Sequence, residues 1–358
     1  MNISNSIYSG LEGWSRLQEI ILEYGKSGIF ILVDENTREQ CLPLLKQKCT
    51  GLDHSHVIEI HSGESNKTIA SIEKIWLELV AGGAVRNSMM ICLGGGVITD
   101  IGGFAAITYK RGMNVINIPT TILAMVDAAI GGKTGVNLNS IKNQVGVFAP
   151  PKAVFVFTEF LKTLSARQKL SGYTEMLKHA MIDSEKHFAK LIVQNSPEKV
   201  CNEKDILESA AVKLKIVTDD PDEKGLRKVL NFGHTIGHAV ETYSQKYDSD
   251  PLLHGEAIAI GLICESFISV RMFGLDGNDL KRLANLVSWQ FPHYRFKPAS
   301  SGELLALMAH DKKNSSISEL NFSLISKIGE PVWDRYPGEK LILESLHFYM
   351  NLEVGFFV

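Results

Sequence analysis

The chain has 358 residues, a formal net charge of −3, 45% hydrophobic and 22% charged residues. These proportions are those of a folded globular protein long enough for two domains with substantial cores. The near-neutral balance excludes a global basic field for nucleic acid, and the apolar runs break well short of membrane-spanning length. Cys41, Cys49, Cys92, Cys201 and Cys264 are odd in number and form no CxxC pair, which argues against a disulfide framework and a cysteine zinc site. The N-terminus (Asn2, Ser4, Asn5, Ser6) is polar, with no charged-then-apolar leader pattern. A reducing cytoplasmic setting is expected.

In chain order, Ile29-Phe30-Ile31-Leu32-Val33 reads as a buried parallel strand that ends on Asp34-Glu35-Asn36. Val57 to Ile60 is a second strand. From Ile69 to Val80 the apolar residues Ile69, Ile72, Ile75, Trp76 and Leu79 recur at helical spacing. Ser88 to Leu93 is a third strand, running into Gly94-Gly95-Gly96; Asn114 to Pro119 and Ala153 to Phe157 are two more. This alternation predicts a doubly wound sheet with ligands at the strand carboxyl ends. Beyond residue 158 strand-like runs vanish until Leu320 to Ile325. Amphipathic stretches over Leu170–Ile182, Asp205–Val217, His234–Tyr243 and Gly255–Met272 predict a mainly helical half. Pro150-Pro151 stands just before the last sheet strand. The expected division is an α/β nucleotide-binding domain over 1–157 and a helical domain over 158–358.

Four motifs carry chemistry. Gly94-Gly95-Gly96-Val97-Ile98-Thr99-Asp100 follows a strand and opens a helix, where bare backbone suits a pyrophosphate at a helix N-terminus. It is not GxGxxG, and alone it reads equally as a tight turn. Gly131-Gly132-Lys133-Thr134-Gly135 resembles the end of a P-loop, but the required upstream glycine falls at Asp127, so a nucleotide triphosphatase is not expected. Lys133 is expected on a flexible loop, with Lys142-Asn143 adding ammonium and amide donors for an anion. The sharpest constellation is His234, His238, His254 and Glu175. His234 and His238 share a helix face, and two imidazoles plus a carboxylate suit zinc with an open position. Spacing alone leaves open which histidine is spared. Arg227 and Asn231 precede His234 within two helical turns, so an anionic, oxygen-rich ligand is plausible there.

Taken together, Gly94 to Asp100, Pro119-Thr120-Thr121, Asp127 to Gly135, Lys142-Asn143, Glu175 to Lys178, Gly225-Leu226-Arg227, Asn231 to His238, His254-Gly255-Glu256 and Asp311-Lys312-Lys313 make the chain resemble the 3-dehydroquinate synthase family of sugar phosphate cyclases. The likeness runs from Asp34 to about Ile328. It implies a Rossmann-like NAD-binding domain followed by a helical metal and substrate domain, with the active site in the cleft. It also implies a homodimer, NAD regenerated in each turnover, and a divalent metal, zinc or cobalt. The implied substrate is 3-deoxy-D-arabino-heptulosonate 7-phosphate.

By position, the resemblance makes Glu175, His234 and His254 the metal ligands and His238 the spared histidine. It assigns Asp127, Lys133, Lys142, Asn143, Lys178, Lys213, Arg227 and Asn231 to substrate. Of these, Arg227 and Lys213 would face a carboxylate, and Lys133, Asn143 and Asn231 the phosphate. Arg111 would reach the neighbouring subunit's phosphate site, and one of Lys312 and Lys313 would meet substrate. Asp34, Asn36, Glu64, Lys67, Gly94, Gly95, Gly96, Asp100, Thr120, Thr121, Phe160, Thr163 and Glu223 would serve NAD. Thr99 stands where the family commonly has glycine, and Tyr173-Thr174 replaces a smaller pair. The polar stretch Ser244–Asp250 reads as a surface loop. The alternatives are a sister cyclase acting on another sugar phosphate, for which an Arg227–Lys213 carboxylate pair is unneeded, a metal-dependent polyol dehydrogenase, and a catalytically dead binding protein.

Overall fold

The computed structural model describes residues 7–25, 28–138, 141–194, 196, 199, 201–296, 300–309 and 320–352. They form two compact units, one within Met1–Ser165 and Cys201–Thr218, the other within Ala166–Val200 and Asp219–Val358. This partition differs from a single cut after residue 157 because the helix Glu203–Asp219 packs with the first unit. Ser9 Oγ donates to Glu203 Oε1 at 2.7 Å, and Lys213 Nζ pairs with Asp127 Oδ1 at 2.8 Å.

The first unit is built on a six-stranded sheet made of β1 (Ile7–Ser9), β2 (Ile29–Asp34), β3 (His56–Ile60), β4 (Met89–Gly94), β5 (Asn114–Pro119) and β8 (Val154–Val156). Its order is β1-β8-β5-β4-β2-β3, and every pairing is parallel. Alternation along the strands splits the core in two, as the side-chain period of two requires. Ile29, Ile31, Val33, Met89, Ile91 and Leu93 pack with Trp14, Leu17 and Leu45 on one face. Phe30, Leu32, Met90 and Cys92 pack with Ile72, Ile75 and Ile101 on the other. With helices on both faces, buried strands read as continuous apolar runs, which is why the sequence shows them. The chain goes from β2 outward to β3 and then returns to place β4 on β2's other side. The strand order therefore reverses there, with Asp34 and Gly94 at the two carboxyl ends, the place where doubly wound sheets bind ligands.

Between β5 and β8 the chain makes an antiparallel hairpin, β6 (Lys133–Leu138) and β7 (Ile141–Phe148). Lys133 therefore opens a strand, correcting the expected flexible loop: the glycines at 131 and 132 take positive φ, and Gly135 and Gly146 let the two backbones pair closely.

The second unit is helical, with helices Ala166–Asp183, Glu185–Gln194, His234–Tyr247, His254–Phe273, Gly277–Gln290, Ser301–Ala309 and Glu339–Met350. One small hairpin, β9 (Phe322–Lys327) with β10 (Glu330–Arg335), completes it. The stretch Ser244–Asp250 is not wholly a loop. The His234 helix continues to Tyr247, with Ser244 buried, its hydroxyl donating to Asp248 Oδ2 at 2.6 Å and accepting from Leu252 N at 2.8 Å. No helix among the described residues is long and apolar enough to cross a membrane.

Candidate active site

In the second unit three elements converge. His234 is the first residue of its helix and follows Gly233, whose φ of 80° is left-handed. His238 lies one turn on, and His254 opens the next helix. That second start is well determined. Glu256 Oε2 accepts from Leu253 N at 2.7 Å, and Arg167 holds both Glu256 oxygens at 2.7 and 2.8 Å. Gly255 N donates to Ser171 Oγ at 2.9 Å, and a Cβ on Gly255 would stand 1.9 Å from the Ser171 carbonyl oxygen. Only glycine lets the His254 helix approach the helix bearing Glu175 this closely.

Glu175 is fully buried. Its Oε2 is ion-paired with buried Lys178, one helical turn away. Its Oε1 makes no hydrogen bond and lies 3.6 Å from His234 Nε2 and 3.8 Å from His254 Nε2. Ligands about 2.0–2.1 Å from a tetrahedral metal are separated by about 3.3–3.4 Å, so these groups need to draw in only by a few tenths of an ångström. The other nitrogens are anchored: His254 Nδ1 lies 3.1 Å from Glu241 Oε2, and His234 Nδ1 3.1 Å from the Phe232 carbonyl. Those contacts select the tautomer that turns Nε2 toward Glu175, the outer arrangement of a metal-ligating histidine. His238 completes the cluster, its ring centroid 5.1 Å from that of His234 and 5.7 Å from that of His254. His234, His238 and His254 also offer ring nitrogens within 4.8 Å of one another. A buried carboxylate oxygen without a hydrogen bond, facing two imidazole nitrogens, fits a divalent metal.

Arg227 lies in the same unit on the short helix Leu226–Asn231 and is 1% exposed. Its preceding turn is organised by Asp220, which accepts from Lys224 N, Gly225 N and Arg227 N at 3.0, 2.7 and 3.0 Å. The Arg227 amide, foremost among these donors, holds the Asp220 carboxyl below its ordinary range. The guanidinium donates to the Pro221 carbonyl at 2.7 Å. Asn231 Nδ2 reaches Glu223 Oε1 at 3.3 Å, and Glu223 itself has φ of 58°. Lys312 and Lys313 lie outside the described residues.

In the first unit, Gly94 ends β4, Gly95 is the N-cap of helix Gly96–Thr108, and no side chain caps that helix. Its first amides suit an anion, and bare Gly95 and Gly96 fit a close-lying pyrophosphate. Thr99 is buried, and its hydroxyl donates back to the Gly96 carbonyl at 3.0 Å. Thr120 N donates to the Gly94 carbonyl at 3.0 Å, and Thr121 Oγ1 accepts from Ala124 N at 3.1 Å. Asp34 is spent largely on its own helix, accepting from Thr37 N at 2.8 Å in a capping box, and Asn36 is exposed. Phe160 packs in the core against Trp14 and Phe157, whereas Thr163 on the same short helix is exposed.

A second cluster joins several predicted positions. Lys67 is ion-paired with Asp100 and donates to Asn143 Oδ1 at 2.5 Å. Burial pushes the Asp100 carboxyl up, against the pull of Lys67. Lys213 bonds both the side chain of Asp127 and its carbonyl, at 2.8 and 2.6 Å, where Asp127 sits in a π-helical turn. Lys133 and Arg111 are exposed, Lys142 is half-buried, and Arg111 takes φ of 62°.

Three acidic or amide groups were not foreseen. Glu241 follows His238 by one helical turn, so helical spacing pointed to it. Glu265 is buried and accepts from Gly233 N at 2.6 Å and Ile236 N at 3.0 Å, fixing the start of the His234 helix from a distant part of the sequence. Asn137 bridges Glu64 and Asn143.

The parallel-sheet unit and the helical unit are the architecture of the sugar phosphate cyclases. A solved structure of 2-deoxy-scyllo-inosose synthase, complexed with carbaglucose-6-phosphate, NAD+ and Co2+, superposes with a TM-score of 0.82 at 26% identity over 96% of each chain. Within that class the sequence is more specific. The family description "3-dehydroquinate synthase N-terminal" matches residues 57–171, and "3-dehydroquinate synthase C-terminal" matches residues 172–314. The 3-dehydroquinate synthase of Parabacteroides distasonis is 41% identical over 94% of this chain and 95% of its own. That of Pyrococcus abyssi is 37% identical over 96% and 99%. The chain belongs to the 3-dehydroquinate synthase family.

Proposed function

We propose that the chain is a carbon–oxygen lyase that converts 3-deoxy-D-arabino-heptulosonate 7-phosphate to 3-dehydroquinate and phosphate, in the shikimate route to chorismate and aromatic amino acids. One observation carries the reading: Glu175 Oε1 faces His234 Nε2 and His254 Nε2 at 3.6 and 3.8 Å. In this reading Glu175, His234 and His254 hold the divalent metal. The turn Gly94–Gly96, with Asp34, Asn36, Glu64, Lys67, Asp100, Thr120, Thr121, Phe160, Thr163 and Glu223, holds NAD. When bound, NAD supplies transient oxidation and re-reduction at C5, and the metal supplies Lewis acidity toward the C4 and C5 hydroxyls.

The chain's own groups do the rest. With a ketone at C5 the C6 proton would be acidic and would pass to the substrate's own phosphate group, which then leaves from C7 as the C6–C7 double bond forms, so no strong protein base is required there. His238 steadies the phosphate and the enolate that forms beside it. Arg227, whose buried guanidinium is positioned by Asp220 and Pro221, binds the substrate carboxylate together with Lys213. Lys133, Asn143 and Asn231 bind the phosphate, with Asp127, Lys142, Lys178 and one of Lys312 and Lys313 also contacting substrate. Ring opening and the intramolecular aldol closure follow from holding one conformer. Residues 1–157 then serve mainly the nucleotide, with Asp127, Lys133, Lys142 and Asn143 given to substrate, and residues 158–358 mainly the metal and substrate, with Phe160, Thr163 and Glu223 given to NAD. The protein is cytoplasmic and works as a homodimer, with exposed Arg111 reaching the neighbouring subunit's phosphate site.

The test is phosphate release by purified protein given the heptulosonate phosphate, NAD and zinc. Release that a chelator abolishes, and that Arg227→Ala loses while keeping the metal, supports the reading. Release from glucose 6-phosphate or sedoheptulose 7-phosphate instead makes the chain a sister cyclase, and unchanged turnover of Arg227→Ala removes the carboxylate assignment.

A further inference from the structure

Asn137 sits where the β6–β7 ladder loses register: Val136 pairs with Val145 and Leu138 with Ile141, so Lys142, Asn143 and Gln144 bulge out opposite one residue. The bulge is pinned from Asn137. Its Oδ1 accepts from Asn143 N at 2.8 Å, in a residue whose φ of 52° is left-handed. Its Nδ2 donates to Glu64 Oε1 at 2.9 Å and to the Glu64 carbonyl at 3.3 Å. Its backbone N donates to the Lys67 carbonyl at 2.9 Å. The bulge then closes a circuit, because Asn143 Oδ1 accepts from Lys67 Nζ at 2.5 Å and Lys67 is ion-paired with Asp100 on the glycine-turn helix.

We propose that Asn137 is a positioning residue that couples dinucleotide binding to phosphate binding within the first unit. The inference rests on the reading above, in which Glu64, Lys67 and Asp100 face NAD and Lys142 and Asn143 face substrate. Ordering Glu64 and Lys67 around the nucleotide fixes the atoms that hold Asn137 and Asn143. The bulge that presents Lys142 and Asn143 to an anion is then set before the anion arrives. The coupling is reciprocal, so inorganic phosphate tightens NAD by the same factor by which NAD tightens phosphate.

The experiment is calorimetric titration of NAD into the full chain, with and without saturating inorganic phosphate, for the wild type and Asn137→Ala. The wild type is expected to bind NAD about 5-fold or more tightly with phosphate. In Asn137→Ala the ratio is expected to fall to about one, with NAD still bound. A general loss of structure would weaken both titrations and leave their ratio in place, so a retained ratio in Asn137→Ala overturns the proposal. A ratio of one in the wild type overturns it as well. If Asn137→Ala does not fold, Asn137→Asp carries the same test: it is the same size and keeps an acceptor for Asn143 N, but it cannot donate to Glu64. Failure of the wild type to bind NAD under either condition overturns the nucleotide assignment itself and this inference with it, whereas NAD binding without coupling overturns the inference alone.

Discussion

Replacing Glu241 tests the metal centre without touching a proposed ligand. Its carboxylate is 3% exposed and lies 3.1 Å from His254 Nδ1. The contact fixes the imidazole tautomer and raises the basicity of Nε2, which faces Glu175 Oε1 at 3.8 Å. A hydrogen bond to a charged group contributes about 1.5–3 kcal/mol, and removing such an outer partner weakens metal affinity about 10–100-fold, or roughly 1.4–2.8 kcal/mol. Glu241→Gln keeps an acceptor but loses the charge, so it belongs near the tenfold end; Glu241→Ala loses both and belongs near the hundredfold end. The assay is competition for zinc against a fluorescent chelator, with the thermal midpoint of the metal-free protein as the folding control. Zinc affinities within twofold of wild type in both variants would refute the assignment of His254 as a ligand oriented by Glu241.

Three further outcomes follow from the same geometry. Glu265→Ala leaves the amides of Gly233 and Ile236 buried without their acceptor and should cost about 2–6 kcal/mol in denaturant unfolding, at about 1–3 kcal/mol per orphaned donor; a loss under 1 kcal/mol would contradict it. Gly261→Ala would put a Cβ 1.9 Å from the Gly233 carbonyl oxygen, so it should destabilise by at least the 1–3 kcal/mol typical of overpacking and also weaken zinc binding by displacing His234; an unchanged melting midpoint would count against the packing described. Asp220 has a folded pKa below its unfolded value of about 3.9, so its stabilisation is complete above that pH and is lost as pH falls through the lower folded value. Asp220→Asn should therefore show a shallower loss of stability below about pH 4, and a slope equal to wild type would show that the carboxylate contributes nothing there.

The sheet was legible because both of its faces are buried, so its long strands appear as apolar runs ending at Asp34, Gly94 and Pro119. β1 was not, because three residues are too few to show a period. The β6–β7 hairpin was missed for another reason: Val145, Val147 and Phe148 on β7 are exposed, and the buried residues of β6, Gly135 and Val136, are adjacent rather than alternating, so no period of two appears and the glycines read as a loop. The grouping of His234, His238 and His254 was legible from helical spacing and from helix starts, with Glu175 as the upstream carboxylate of the same constellation; which histidine is spared came only from the family resemblance. Glu265 and Asn137 act through contacts 32 and 73 residues away in sequence, which no local pattern encodes. Asp34 shows the opposite case, a predicted ligand group whose carboxylate already serves as a helix cap.

The central claim is an oxidation that is undone within each turnover. It is tested most directly by following phosphate release and absorbance at the NADH band together, with the heptulosonate phosphate, NAD and zinc present. The account predicts many equivalents of phosphate per NAD and no accumulating NADH. NADH rising in step with substrate consumed would instead make the protein a dehydrogenase and contradict the account.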